Sequence, residues 1–279
     1  MERKCFMKKM TSLVLAVAMM FSIMVVLPEN VSAADKSLGA SGGSVTITDE
    51  ECYVVTKGYT WISYKPKADG YLQLKFKPAS AVVSYPYGTA QLFAANKTTA
   101  LSSVCNFFTD DNRAVFNSEY YGVKKNKMYY ISVGSVGGVA VSAKFKKVKD
   151  KSGTKKGKAL NLKKGKAATS VITAGNNKTK WYKFTLSKPS KFNVYLQPYL
   201  TGDVNVTIKG PGAGNSASGT IRCREVKRNY DGSIDVNGNS WGVKRQLLNT
   251  TGRYRQGTYY LSIRPTTKTC TGYYKLNWK

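Results

Sequence analysis

Thr258-Tyr259-Tyr260-Leu261-Ser262-Ile263 puts Tyr259, Leu261 and Ile263 on one side of an extended chain, with Tyr260 and Ser262 on the other. That period of two marks a strand with one buried face. An echo stands earlier, at Met128-Tyr129-Tyr130-Ile131-Ser132-Val133. Working outward from the two, the resemblance continues. Trp61-Ile62-Ser63-Tyr64 matches Trp181-Tyr182-Lys183-Phe184, and without a gap Leu72, Leu74, Phe76 and Pro78 fall on Phe192, Val194, Leu196 and Pro198. Each copy closes on another alternating strand: Val139, Val141, Ala143 and Phe145 in the first, Tyr274, Leu276 and Trp278 in the second. Order, spacing and ending together indicate an internal duplication. No amphipathic helical period follows residue 34. The expected fold is therefore all-β: two tandem antiparallel β-sandwich (jelly-roll-like) domains, at 35–150 and 151–279, after a signal peptide at 1–34.

The N-terminus supports export. Arg3, Lys4, Lys8 and Lys9 precede the apolar run Met10 to Leu27, and Val31-Ser32-Ala33-Ala34 supplies small residues for cleavage. No second apolar segment follows, so no transmembrane span is expected after signal cleavage. The chain of 279 residues carries 44 Lys+Arg against 15 Asp+Glu, a formal charge of +29, and nearly all of it stays with the exported part. Such a charge predicts anionic partners and strong salt dependence. Residues 146–166 hold ten lysines and one acid, Asp150, and self-repulsion should keep part of this run open. Leu160 and Leu162 fit the first strand of the second copy. Four cysteines follow the signal: Cys52, Cys105, Cys223 and Cys270. An even count in an exported chain suggests disulfides, and with two domains the intradomain pairs are Cys52–Cys105 and Cys223–Cys270. Their spacing does not suit zinc, and there is no histidine to help.

The landmarks of each copy resemble the bacterial pre-peptidase C-terminal domain, a small β-sandwich. In the second copy they are Trp181 to Phe184, Lys188-Pro189-Ser190, Gly257 to Ile263 and Gly272 to Leu276; in the first, Trp61 to Tyr64, Asp69-Gly70 and Tyr129 to Val133. Members of that family often follow an extracellular hydrolase and act as secretion, targeting or substrate-binding modules. The resemblance implies a binding or accessory role. The expectation departs from the usual setting in placing no catalytic domain ahead of the modules within residues 1–279, and the sequence lacks the acidic cluster of calcium-binding relatives.

The chain contains no histidine, which removes Ser-His-Asp and Cys-His catalysis and the commonest metal ligand. Carboxylate chemistry on glycans is the remaining enzymatic route, with candidates Asp49, Glu50, Glu51, Asp110, Asp111 and Glu119. Adjacent acids on a strand point to opposite faces, so a non-enzymatic protein is the expectation. Asp235-Val236-Asn237-Gly238-Asn239 begins like a calcium loop, but Ser240 and Gln246 stand where glycine and glutamate belong, so it reads as a turn. No metal or cofactor is expected. Gly210-Pro211-Gly212-Ala213-Gly214 lacks the Lys-Ser/Thr ending of a phosphate loop. Of each tyrosine pair (Tyr120-Tyr121, Tyr129-Tyr130, Tyr259-Tyr260, Tyr273-Tyr274) one member should be core.

The candidate ligand-binding residues are Arg222, Arg224, Arg228, Tyr230, Trp241, Lys244, Arg245, Arg253 and Arg255. Arginine makes forked contacts to phosphate, sulfate or carboxylate, and flat rings stack on sugars or bases. The expected function is a secreted, non-catalytic binding protein for an anionic polymer, such as a wall polymer or acidic polysaccharide, retained on a Gram-positive cell surface. An extracellular nucleic-acid binder and an accessory module for a separate secreted hydrolase are the alternatives.

Overall fold

The computed structural model describes residues 36–37, 43–47, 52–78, 87–108, 118–211, 216–223, 227–228, 234–235, 244–249 and 253–279; the expected signal at 1–34 lies outside them. Up to Lys147 the strands are β1 (Lys36–Ser37), β2 (Ser44–Ile47), β3 (Cys52–Tyr64), β4 (Gly70–Pro78), β5 (Tyr87–Phe93), β6 (Cys105–Phe108), β7 (Ser118–Val123) and β8 (Tyr129–Lys147). From Leu160 they are β9 (Leu160–Asn161), β10 (Ala168–Ile172), β11 (Lys180–Leu186), β12 (Asn193–Leu200), β13 (Val204–Lys209), β14 (Ser216–Ile221), β15 (Lys227–Arg228), β16 (Ile234–Asp235), β17 (Arg245–Asn249), β18 (Gly257–Pro265) and β19 (Gly272–Trp278). The fold is all-β, as expected; the helical content of the described residues is one 3-10 turn at Lys156–Lys158.

In the second half the sandwich is plain. A four-stranded sheet, β10-β19-β12-β17, faces a five-stranded one, β14-β13-β18-β11-β9. Alternation fills the space between them. Tyr182, Phe184, Leu196, Ile208, Tyr259, Leu261, Leu276 and Trp278 form one buried cluster, with Phe184 stacked on Trp278 at 4.7 Å.

The first half makes the same two layers from longer strands. β3 and β8 pair along most of their length, with the register broken between Thr56 and Gly58, where Gly58 has φ 75°. On one side of that bend β8 pairs with β4, and on the other with β5. Phe76 of β4 stacks on Phe107 of β6 at 4.1 Å, closing the layers over the core.

The two halves carry matching ladders. Trp61 pairs with Ser132, Ile62 with Ile131 and Tyr64 with Tyr129; Trp181 pairs with Ser262, Tyr182 with Leu261 and Phe184 with Tyr259. Likewise Leu74 faces Ala143, Phe76 faces Val141 and Pro78 faces Val139, while Val194 faces Trp278, Leu196 faces Leu276 and Pro198 faces Tyr274. The parallel edge strand recurs too, since β2 runs beside β3 as β9 runs beside β11.

The copies differ where the chain crosses between layers. β3 and β8 cross unbroken, whereas the second half splits each into two strands, β10 with β11 and β18 with β19. Both breaks dock on the first half. Ala174 donates to the Gly122 carbonyl at 2.8 Å, and Ser103 to the Thr269 carbonyl at 3.1 Å. The Thr271 hydroxyl accepts the Gly122 amide at 3.0 Å and donates to the Ile172 carbonyl at 2.9 Å. Beside these bonds Tyr273 lies flat between Tyr71 (4.0 Å) and Tyr199 (4.5 Å), with Tyr120 edge-on at 5.1 Å. Gly272, at φ 128°, is required here, because a Cβ would overlap the Tyr199 carbonyl oxygen.

Residues 155–158 and 163–166 of the lysine run are exposed, while its start is tied down by its one acid. Asp150 accepts the Ser152 amide (2.8 Å), the Ser170 hydroxyl (3.1 Å), the Val171 amide (2.9 Å) and the Lys180 ammonium (2.7 Å). Gly153 then exchanges backbone bonds with Trp181. One half-buried carboxylate with four donors outweighs the repulsion among exposed, screened lysines.

The expected disulfides are not formed among the described residues, although Cys105, Cys223 and Cys270 are buried. Cys223 Sγ donates to the Ile221 carbonyl at 3.3 Å and Cys270 Sγ to the Gly202 carbonyl at 3.2 Å, so each sulfur is aimed at a carbonyl. Burial pushes the Cys270 thiol up to about 12, against the hydrogen bond to Gly202. The side chain of Cys52 lies outside the described residues.

Candidate functional site

Alternation along β12 sends Val194, Leu196 and Leu200 into the core and Tyr195, Gln197 and Tyr199 outward. Its neighbour β19 sends Lys275 and Asn277 to the same outer face, because Tyr195 pairs with Asn277 and Gln197 with Lys275. On the other side β17 brings Gln246 opposite Tyr195. Lys244, at the entry to β17, lays its Nζ over the Tyr195 ring at 4.4 Å. Tyr195, Gln197, Lys244, Lys275 and Asn277 line a shallow depression of about 120 Å³ on the open face of the four-stranded sheet. It offers a ring, two ammonium groups and two carboxamides. Lysines supply point charges for an anion, the carboxamides both donate and accept, and the ring supports a flat apolar surface. The Lys244–Tyr195 contact itself contributes about 0.5–1 kcal/mol at an exposed site.

The predicted basic residues meet this face only in part. Lys244 is exposed and belongs to it, and Arg245 follows as the first residue of β17, paired with Leu196. Arg222 is exposed after β14, next to Cys223, whose amide donates to Asp203. That is the Leu200 end of the sandwich. Arg253 and Arg255 are exposed at the other end, where Tyr254 bridges to Ser190 and packs on Phe192 at 5.2 Å. β12 separates the two ends, about 25 Å at the usual strand rise. Arg222 therefore does not converge with Arg253 and Arg255. Arg228 sits in the two-stranded β15–β16 ladder opposite Ile234. Arg224, Tyr230 and Trp241 lie outside the described residues.

Tyr195, Gln197, Lys275 and Asn277 were missed by sequence reasoning. Alternation around Val194 and Leu196 marks Tyr195 and Gln197 as outward, but only strand pairing brings β19 and β17 beside them.

The other candidates resolve as follows. Glu119 is fully buried in β7, with its carboxylate accepting the Tyr120 amide at 3.2 Å; Asp49, Glu50, Glu51, Asp110 and Asp111 lie outside the described residues. Asp235 pairs with Lys227. Among the described residues no group of three His, Cys, Asp or Glu side chains is placed to hold a metal ion, and no helix is long and apolar enough to cross a membrane. A cleft of about 240 Å³ runs between Asp69, Val123, Asp150, Asn176 and Lys180, but its ion pair is satisfied internally. Of the tyrosine pairs, Tyr121, Tyr129 and Tyr259 are the core members of theirs, whereas Tyr273 and Tyr274 are both buried, Tyr273 in the cluster between the halves. The phenol of Tyr120 is pushed up to about 12 by burial and by Tyr199 and Tyr71, so it is neutral at any ordinary pH.

No protein-family model and no curated protein matches the chain. Among solved structures, the pre-peptidase C-terminal domain of a collagenase from Bacillus anthracis aligns at 14% identity and a TM-score of 0.28, covering 43% of this chain and 93% of that one. A tandem of CBM22 domains from Paenibacillus barcinonensis Xyn10C aligns at 12% identity and a TM-score of 0.24, covering 78% and 80%.

Proposed function

We propose that this chain is a secreted, non-catalytic binding protein that holds an anionic polysaccharide and is kept near the producing cell by its charge. The two copies divide near residue 150. The observation that carries the reading is the open outer face around Tyr195, where Lys244 and Lys275 flank an outward ring among carboxamides. The +29 charge supplies long-range attraction, and this face supplies a short-range contact. Carboxylate-rich polymer suits it, since lysine meets a carboxylate or phosphate as a point charge while the ring takes a sugar face.

Retention on immobilised polygalacturonate tests the reading. Wild type should be held at low salt and released as salt rises. A Tyr195→Ala, Lys244→Ala, Lys275→Ala variant should elute at clearly lower salt, by more than the loss of two charges from any exposed position. Equal elution of this variant and a control lacking two lysines of the 146–166 run would refute the contact. Preferential competition by single-stranded DNA over soluble polygalacturonate would replace the glycan with nucleic acid.

A further inference from the structure

A second aromatic cluster, exposed at Tyr59 and half-buried at its other rings, lies on the first half, on the outer face formed by β3, β5 and β8. Tyr59 is 42% exposed, a large burden for a ring on a water-facing sheet. Trp61 is braced edge-on by Tyr59 (5.6 Å), Phe93 (5.3 Å) and Tyr130 (6.3 Å). Lys97 reaches over the group, its Nζ 4.6 Å from the Tyr130 ring centre and 5.5 Å from that of Trp61. The lysine is held there. Its backbone has φ 58°, a left-handed conformation that costs a residue with a side chain. The Asn96 carboxamide fixes the turn by accepting the Thr98 and Thr99 amides, and the Lys97 amide donates to the Ala94 carbonyl.

The fold does not require this ledge. By the matched ladders, Trp61 and Tyr130 correspond to Trp181 and Tyr260, and Phe93, which faces Tyr130, corresponds to Lys209, which faces Tyr260. Counting back from the matched tryptophans, Tyr59 corresponds to Thr179. Only the first half completes the group of rings. Across the same face run Thr89, exposed, and Gln91, half-buried, both uncharged.

We propose that this ledge is a second glycan contact, a stacking platform for one pyranose ring of an acidic polysaccharide, with Lys97 meeting the carboxylate of that unit. Upright rings in fixed positions lose little freedom on binding. The neutral side chains suit sugar hydroxyls, and a single cation suits one carboxylate per residue better than a run of phosphates. The proposal rests on the glycan reading above, but it concerns different residues, so each can fail alone.

The test is quenching of tryptophan fluorescence in the full chain by tetragalacturonate, with xylotetraose and oligothymidylate as comparison probes, at a salt concentration that suppresses diffuse attraction. Tetragalacturonate should quench, and Trp61→Phe should remove the change. Tyr59→Ala should weaken binding about fivefold to tenfold. Lys97→Met should weaken the acidic probe and leave the neutral one unchanged. The Tyr195→Ala, Lys244→Ala, Lys275→Ala variant should keep the quench. Because Tyr59 is exposed, its truncation should not disturb folding, and an unchanged melting temperature checks this. Quenching that survives Trp61→Phe and Tyr59→Ala, no response to either saccharide, or a Tyr59-dependent response to oligothymidylate alone would each overturn the assignment.

Discussion

Asp150→Asn is the most informative single change. The carboxylate accepts four hydrogen bonds: Ser152 and Ser170 on Oδ1, Val171 and Lys180 on Oδ2. Asparagine keeps the shape but turns one acceptor into a donor facing a donor. It also removes the ion pair of Lys180, which keeps its bond to Ser152 Oγ at 3.0 Å and whose side chain is 21% exposed against 19% for Asp150. A charge-assisted hydrogen bond contributes about 1.5–3 kcal/mol, and a donor turned against a donor costs about 1–3. Partial hydration of both groups trims the sum, leaving an expected loss of about 2–4 kcal/mol. Urea unfolding followed by circular dichroism measures it.

The pH dependence has a fixed sign. Burial alone would raise the Asp150 pKa, but Lys180 and the amides of Val171 and Ser152 overcome it and hold the carboxyl below its ordinary value. Its contribution is therefore complete above about pH 4, where the unfolded carboxyl ionises, and disappears as pH falls through the lower folded value. The gap between wild type and Asp150→Asn should be constant from pH 5 to 7 and close below pH 4. A loss under about 0.5 kcal/mol, or a gap independent of acid, would refute the anchoring role.

Gly272→Ala should destabilise by about 2–4 kcal/mol, because it adds both a clash and a strained φ; an unchanged melting temperature would count against the described docking. Tyr182→Phe removes a hydroxyl 2.6 Å from both Ser170 and Tyr274 and should cost about 1–2 kcal/mol in the same unfolding assay. Cys270, with its thiol pushed up to about 12 by burial, should resist iodoacetamide at pH 8 in the native protein and react once denatured. Its folded pKa lies above the unfolded one, so stability tied to it is intact below about pH 8.5 and is lost between there and pH 12.

Much of the fold was legible because a buried strand face must alternate. Tyr259, Leu261 and Ile263 lie inward as their period requires, and the matched tryptophans Trp61 and Trp181 pair with matched serines. The docking of the halves was not legible. Tyr199 and Tyr273 are ladder partners, but they meet Tyr71 and Tyr120 only across the seam, and an outward tyrosine looks the same in sequence whether it meets water or another ring. Asp150 could have been singled out as the one acid in a lysine run. The basic stretch misled in a different way. Nearness along the chain was read as nearness in space, whereas a sandwich places Arg222 and Arg255 at opposite ends of its strands.

The strand breaks at 173–179 and 266–271 have a further consequence. The second half carries these hooks and the first half does not, so the face that receives and the face that grips belong to different copies. A repeat whose every unit had both would be free to add a third and a fourth, as solenoids do. Here the first half has unbroken crossings in place of hooks. Among the described residues the gripping and the receiving surfaces are therefore unlike, so the seam between the halves is a heterologous one and not a two-fold pairing of equal patches.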